Sequence, residues 1–300
     1  MKPGKWTVFT IASVLLVGSA SCAFMIWRDD FGVWRNPARR QLAVYYNDGP
    51  AKVLLNQRYV PENFDTLLLG PSYGVNWEMK TIGRDLDLRI YNESLEGGNA
   101  SEEKLLVDRA LPRGHFRIAL IVLAPGMTTS HAYHQGMEQT KITESLGSVG
   151  SYFQAALAIA KAHHLSDSSK LDSYPDGSHA MRNPKGFEIK AAAKLEMDPI
   201  ATHDLQNMVA ELQRNNVQLI YIIPPVYQPF FAINEAVYRS AFNSMKELVP
   251  PAPCIDFSGP DDIGFRSDAA NFIDDFHLTA GGAHRLSIQI NNRLAGILSR

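Results

Sequence analysis

Five short, predominantly apolar runs do most to constrain what this 300-residue chain can fold into. They lie at 65–70, 88–92, 116–123, 217–223 and, more weakly, 254–257. A strand with one wet face alternates apolar and polar residues, whereas a short unbroken apolar run bounded by Gly or Pro reads as a strand buried on both faces. Amphipathic helices fall between the runs. Asp198 is placed to cap a helix with Pro199 in its first turn, and Leu205, Met208, Val209 and Leu212 then share one face. A last helix after Thr279 turns Ala283, Leu286, Ile290, Leu294 and Ile297 inward, and 150–164 also reads as helical. Buried strands alternating with such helices predict an α/β fold, a parallel sheet in a three-layer α/β/α arrangement. At 45% hydrophobic residues the chain can bury a core of that size.

The N-terminus obeys a different rule. No charge occurs from Trp6 to Trp27, and TVFTIASVLLVGSASCAFMI is close to the roughly 20 residues that span a bilayer. A cleaved signal ending near Ser19-Ala20-Ser21 and a lipoprotein site at Cys22 are the alternatives. Ser19 stands where the leucine of a lipoprotein site is usual, and the apolar run continues through Ile26, so an uncleaved anchor is the preferred reading. Lys2 and Lys5 precede the span while Arg28, Arg35, Arg39 and Arg40 follow it, so charge alone does not orient it. The chain thus divides into an anchor (1–28), a lead-in (29–63) and a main domain (64–300) with a long insertion around 126–197.

A formal charge of −2 and the lack of a basic run interleaved with aromatics argue against nucleic acid as a partner. Cys22 and Cys254, the two cysteines, form no zinc-ligand spacing, and neither a metal nor a cofactor is expected. His131 and His134 are spaced for a metal but lack a nearby acidic or cysteine partner, and read as loop histidines. Tyr227, Phe230 and Phe231 read as core, with a sugar- or acyl-binding cleft as the second option.

Two segments carry the chemistry. Gly70-Pro71-Ser72-Tyr73-Gly74 follows the first strand, where open parallel sheets bind ligands, and sets a serine between glycines. It reads either as a nucleophile or as a plain turn with Ser72 capping a helix. Asp274-Asp275-Phe276-His277-Leu278-Thr279 precedes the last helix. A serine needs an imidazole to take its proton, and the imidazole needs a carboxylate to fix its tautomer. Asp274 and His277, three apart, can meet within one turn; Asp275 is the alternative carboxylate, and a solvated loop is the bland reading.

Together these blocks resemble the SGNH (GDSL-like) hydrolase superfamily over roughly residues 64–300. Leu67-Leu68-Leu69-Gly70-Pro71-Ser72 is similar to its first block, Tyr91 to Asn99 to its second, and Phe272 to Thr279 to its last. The resemblance implies a flavodoxin-like sheet, Ser72 as nucleophile, His277 as base and Asp274 as its partner. It also implies an oxyanion hole from Ser72 and Gly98, with Asn99 as a substitute donor. Pro71 stands where the family often has Asp, and Leu123-Ala124-Pro125-Gly126-Met127-Thr128 lacks the third-block asparagine. That absence is similar to the membrane-tethered AlgX/AlgJ- and DltD-like subgroup, which acylates envelope polymers. An α/β-hydrolase shares the order Ser, Asp, His but sets its serine after several strands and its acid on a separate loop.

The expectation is therefore a single-pass protein of the cytoplasmic membrane with its domain on the outer face. It would act as a serine esterase or O-acyltransferase on an acylated sugar or polysaccharide, with a membrane acyl-donor protein as a candidate partner. A catalytically silent, glycan-binding protein of the same fold is the alternative.

Overall fold

The computed structural model describes residues 3–35, 43–44, 48–134, 136–162, 172–181, 186–192 and 194–299. Helix α1, Pro3–Arg28, is apolar on all sides. Trp6, Phe9, Leu16 and Trp27 are all exposed along it, and Gly4–Arg28 is long and apolar enough to cross a membrane. Asp29 closes the helix. Its carboxylate accepts the amides of Val33 at 2.7 Å, Trp34 at 3.1 Å and Arg35 at 2.9 Å, knotting the chain where the apolar run stops.

Helix α2, Asp48–Leu55, is almost entirely buried, so the second half of the lead-in is built into the body of the domain. Five strands follow: β1 Thr66–Leu69, β2 Ile90–Asn92, β3 Ile118–Val122, β4 Gln218–Ile223 and β5 Cys254–Asp256. They make one parallel sheet in the order β2-β1-β3-β4-β5, with Leu67 level with Tyr91 and Ala119, and Ile222 level with Ile255. This is the flavodoxin-like order, and each strand falls within its expected apolar run. Every residue of β1 and β3 is buried, as continuous rather than alternating hydrophobicity requires.

Helices α3 Ala100–Ala110, α4 Val149–Ala162, α5 Pro199–Arg214, α6 Gln228–Leu248 and α7 Ala280–Leu298 complete the frame. α3 packs against α5, while α7 packs against the short helix Met79–Ile82 that follows β1. Right-handed crossovers on either side of β1 put these two groups on opposite faces of the sheet, giving the three layers. Asp198 accepts the amides of Ile200 and Ala201, and Thr279 Oγ accepts that of Gly282, so both helices start where their caps predict. His163 and His164 lie outside the described residues.

The strand order reverses between β1 and β3, and the crevice of such a sheet opens at the carboxyl ends of those strands. Gly70 ends β1 there, where a Cβ would come within 2.6 Å of the Val122 Cβ, so no larger residue fits. The insertion returns across this edge. Asp176 accepts the Asn92 amide at 2.7 Å, His179 donates its amide to Val75 at 2.9 Å, and Pro175 accepts the Tyr59 hydroxyl at 2.9 Å.

Candidate active site

Pro71 is extended, and Ser72–Gly74 forms a single 3-10 turn. The turn has no side-chain cap, and the Ser72 hydroxyl is engaged elsewhere, 2.8 Å from His277 Nε2. The capping alternative therefore does not describe its use.

His277 arrives on a tight loop. Phe272 pairs with Leu278, the Ile273 amide donates to the His277 carbonyl at 2.9 Å, and the Thr279 amide to Asn271 at 2.9 Å. Inside the loop Asp274 Oδ1 accepts the amides of Phe276 at 3.0 Å and His277 at 2.7 Å, while Oδ2 lies 2.6 Å from His277 Nδ1. Burial works to raise the Asp274 pKa, but the bonds from the His277 ring and the two amides outweigh it and hold the carboxyl below its ordinary value. An ionised Asp274 requires a proton on Nδ1, which leaves Nε2 to accept from Ser72. Tyr73 stacks on Phe276 with centroids 5.2 Å apart, and Phe276 lies 4.5 Å from the imidazole, so the imidazole is walled by rings.

Asp275 points away. Its carboxylate accepts the Glu188 amide at 3.2 Å and its carbonyl accepts the Tyr227 amide at 2.9 Å, tying the insertion and α6 to the loop. Burial raises its pKa, opposite to Asp274. Of the two candidate carboxylates, only Asp274 meets the imidazole.

The second block requires a correction. The Leu95 amide donates to Gly70 at 3.3 Å and Leu95 bridges Pro71, which lays the next turn beside the serine. That turn closes with the Gly98 amide on the Leu95 carbonyl at 3.0 Å, so the amide expected to serve an oxyanion is already committed. Asn99 does not substitute for it. Its oxygen caps α3 through Ser101 and Glu102, and its amide donates to Ala132 at 2.7 Å. Gly97 takes φ +70, the third position of a type II turn, and among the described residues its amide makes no hydrogen bond within the chain. The Gly-Gly pair carried that signal, but its register depends on which carbonyl closes the turn. The third block, without its asparagine, forms a 3-10 turn in which a Cβ on Gly126 would lie 3.4 Å from Pro71.

His131 and His134 each pair with a carboxylate remote in sequence, Asp198 at 2.7 Å and Glu102 at 2.6 Å. Among the described residues no cluster of three or more ligating side chains could hold a metal. Phe230 and Phe231 are core residues, while Tyr227 stays partly exposed against Phe187 and Phe272. A cavity of about 700 Å³ lies next to the histidine loop, lined by Trp77, Lys80, Tyr174, His179, Ile273 and Leu278 among others.

No family model matches the chain, and no curated protein matches it. Among solved structures it is similar to a Streptococcus pneumonia protein named for platelet activating factor. The identity is 12% and the TM-score 0.46, covering 82% of this chain and 91% of that one. It is also similar to a GDSL-like lipase from Bacteroides thetaiotaomicron VPI-5482, at 10% identity and TM-score 0.39, covering 83% and 95%. At such values the chemistry of this chain has to follow from its own side chains.

Proposed function

We propose that this chain is a membrane-anchored serine esterase or O-acyltransferase that works through an acyl-Ser72 intermediate on acylated sugars of the cell envelope. The observation that carries the reading is the continuous relay from Asp274 Oδ2 to His277 at 2.6 Å and from His277 Nε2 to Ser72 Oγ at 2.8 Å. In this reading Ser72 Oγ attacks the ester carbonyl as its proton passes to Nε2. The Ser72 and Gly97 amides meet the negative oxygen that forms. The imidazolium then protonates the departing alcohol, leaving acyl-Ser72, and Nε2 next deprotonates water or a sugar hydroxyl to release the acyl group. Hydrolysis and transfer share every one of these steps and differ only in whether the cleft admits water or holds an acceptor.

The apolar, exposed α1 supports the anchored part of the reading, and an envelope substrate puts the domain on the outer face of the membrane. The closing experiment treats the full chain in detergent with a fluorophosphonate and follows intact mass, wild type beside Ser72→Ala. A single adduct on wild type alone is the expected result. A folded wild type that takes no adduct moves the function to silent glycan binding.

A further inference from the structure

We propose that α4 is a second membrane contact, an interfacial helix that lies in the headgroup region of the bilayer with Val149, Tyr152, Phe153, Ala156 and Ile159 turned to the lipid. The inference rests on the anchored part of the reading above and adds where the insertion meets the membrane.

α4 is built the wrong way round for a helix in water. Its exposed residues include Val149, at 87%, Tyr152, Phe153, Ala156 and Ile159, which recur at spacings of three and four and so share one face. Those turned inward include Ser151 and Gln154, 3% and 4% exposed. The Ser151 hydroxyl donates to the Glu144 carbonyl at 2.7 Å, which ties the polar side into the domain. α5 shows the ordinary arrangement in the same molecule: it buries Leu205, Met208, Val209 and Leu212 and leaves Gln213 and Arg214 outside. A helix with polar groups inward and an apolar face outward is stable when an apolar phase lies against that face. No charged residue occurs from Ser145 to Ala160 to keep the face in water.

What covers the face follows from its neighbour. The short helix Glu144–Gly147, which leads into α4, packs against α1. The domain meets α1 near its end, where Met25 is buried and Ser21, Cys22 and Arg28 are half-buried. Just past that end, Trp34 donates Nε1 to Ser145 Oγ at 2.8 Å. α4 therefore starts beside the point at which α1 leaves the bilayer, and the lipid that covers α1 reaches it. Its 14 residues amount to about 21 Å, short of the roughly 30 Å of a hydrocarbon core, so it lies along the surface instead of crossing. Trp27 on α1 and Tyr152 on α4, both exposed, are rings that favour the headgroup level.

The contact bears on the site as well. α4 packs on Ala43–Val44, which pairs antiparallel with Asp172–Ser173. Residues that follow, from Tyr174 to Met181, wall the cavity beside the histidine loop. Lipid held on α4 thus fixes that wall relative to the membrane.

The experiment uses the full chain carrying Cys22→Ser and Cys254→Ser, reconstituted in phosphatidylcholine–phosphatidylglycerol vesicles. One new cysteine at a time carries an environment-sensitive NBD fluorophore: Val149→Cys and Ala156→Cys on the outer face of α4, Leu15→Cys inside α1, Gln213→Cys on α5. Labels at 149 and 156 are expected to lose emission to lipid spin-labelled near its headgroup, and less to lipid spin-labelled near the chain end. The label at 15 should show the reverse order, and that at 213 should respond only to iodide in the water. Labels at 149 and 156 that iodide quenches and lipid does not would overturn the docking. Blue-shifted emission that neither quencher reaches means a second copy covers the face, and overturns it too. An unquenched label at 15 instead overturns the anchor, and the α4 labels still judge the docking by themselves.

Discussion

Two histidines in this molecule present Nδ1 to a carboxylate at the same 2.6 Å, His277 to Asp274 and His134 to Glu102. They differ in what the other nitrogen meets. For His277 it is a serine hydroxyl, which can give up a proton. For His134 it is the turn at Gly97, where a Cβ would stand 3.9 Å from Nε2. A carboxylate–imidazole pair is therefore not in itself a base. It becomes one only where Nε2 faces a group with a proton to give.

The largest effect should come from breaking the two pairs in the same way. Asp274→Asn leaves the loop nearly isosteric but no longer enforces the Nδ1–H tautomer, and kcat should fall by about 10⁴. Glu102→Gln should cost far less, with kcat within about tenfold of wild type. Steady-state kinetics of both variants make the comparison, and equal losses would mean the two histidines are not in different roles. Asp275→Asn serves as the control. That side chain touches Glu188 and not the imidazole, so kcat should stay within about tenfold of wild type.

The contrast also separates what sequence can reveal from what it cannot. Asp274 and His277 lie three residues apart in one loop, so their meeting is local and legible. Glu102 and His134 are 32 residues apart, and nothing in either segment points to the other. The sheet was legible because buried strands are uniformly apolar, as Ile118–Val122 is. The insertion was not, because backbone bonds such as Asn92 to Asp176 hold it, and backbone carries no residue signature. Gly97 and Gly98 illustrate the same limit on a smaller scale. Either glycine fits a turn, and only the Leu95 carbonyl decides which amide is committed.

Lys52 was illegible for another reason, since a lone lysine in a polar lead-in reads as exposed. It is 3% exposed and donates to the Asn92 carbonyl at 2.8 Å and the Ser94 carbonyl at 2.7 Å, holding the second block from beneath. Lys52→Met should remove about 3–5 kcal/mol of stability by leaving buried partners unmatched. His134→Gln, at a half-exposed ring, should move the urea midpoint little. If instead the two variants are equally unstable, the His134–Glu102 pair is as much a structural support as Lys52.

The smallest effect tests the charge beneath that block. Burial pushes the Glu93 carboxyl up to about 7 against the nearby Lys52, and burial together with the Glu93 charge lifts Glu103 well above its usual range. Because the folded state holds a proton on Glu93 more tightly than the unfolded chain does, that contribution to stability is complete below about pH 4.5. It is lost as the pH rises to about 7. Glu93→Gln should flatten this descent in urea unfolding measured from pH 4.5 to 7. Glu103→Gln keeps the shape of this buried side chain and should shift stability by only about 0.5 kcal/mol at pH 7. Neither change touches Asp274, whose folded carboxyl is held low and whose own contribution runs the other way, present at neutral pH and lost on acidification. A Glu93→Gln profile that keeps its slope would place the titrating group elsewhere. The block beneath Gly97 would then rest on the Lys52 bonds alone.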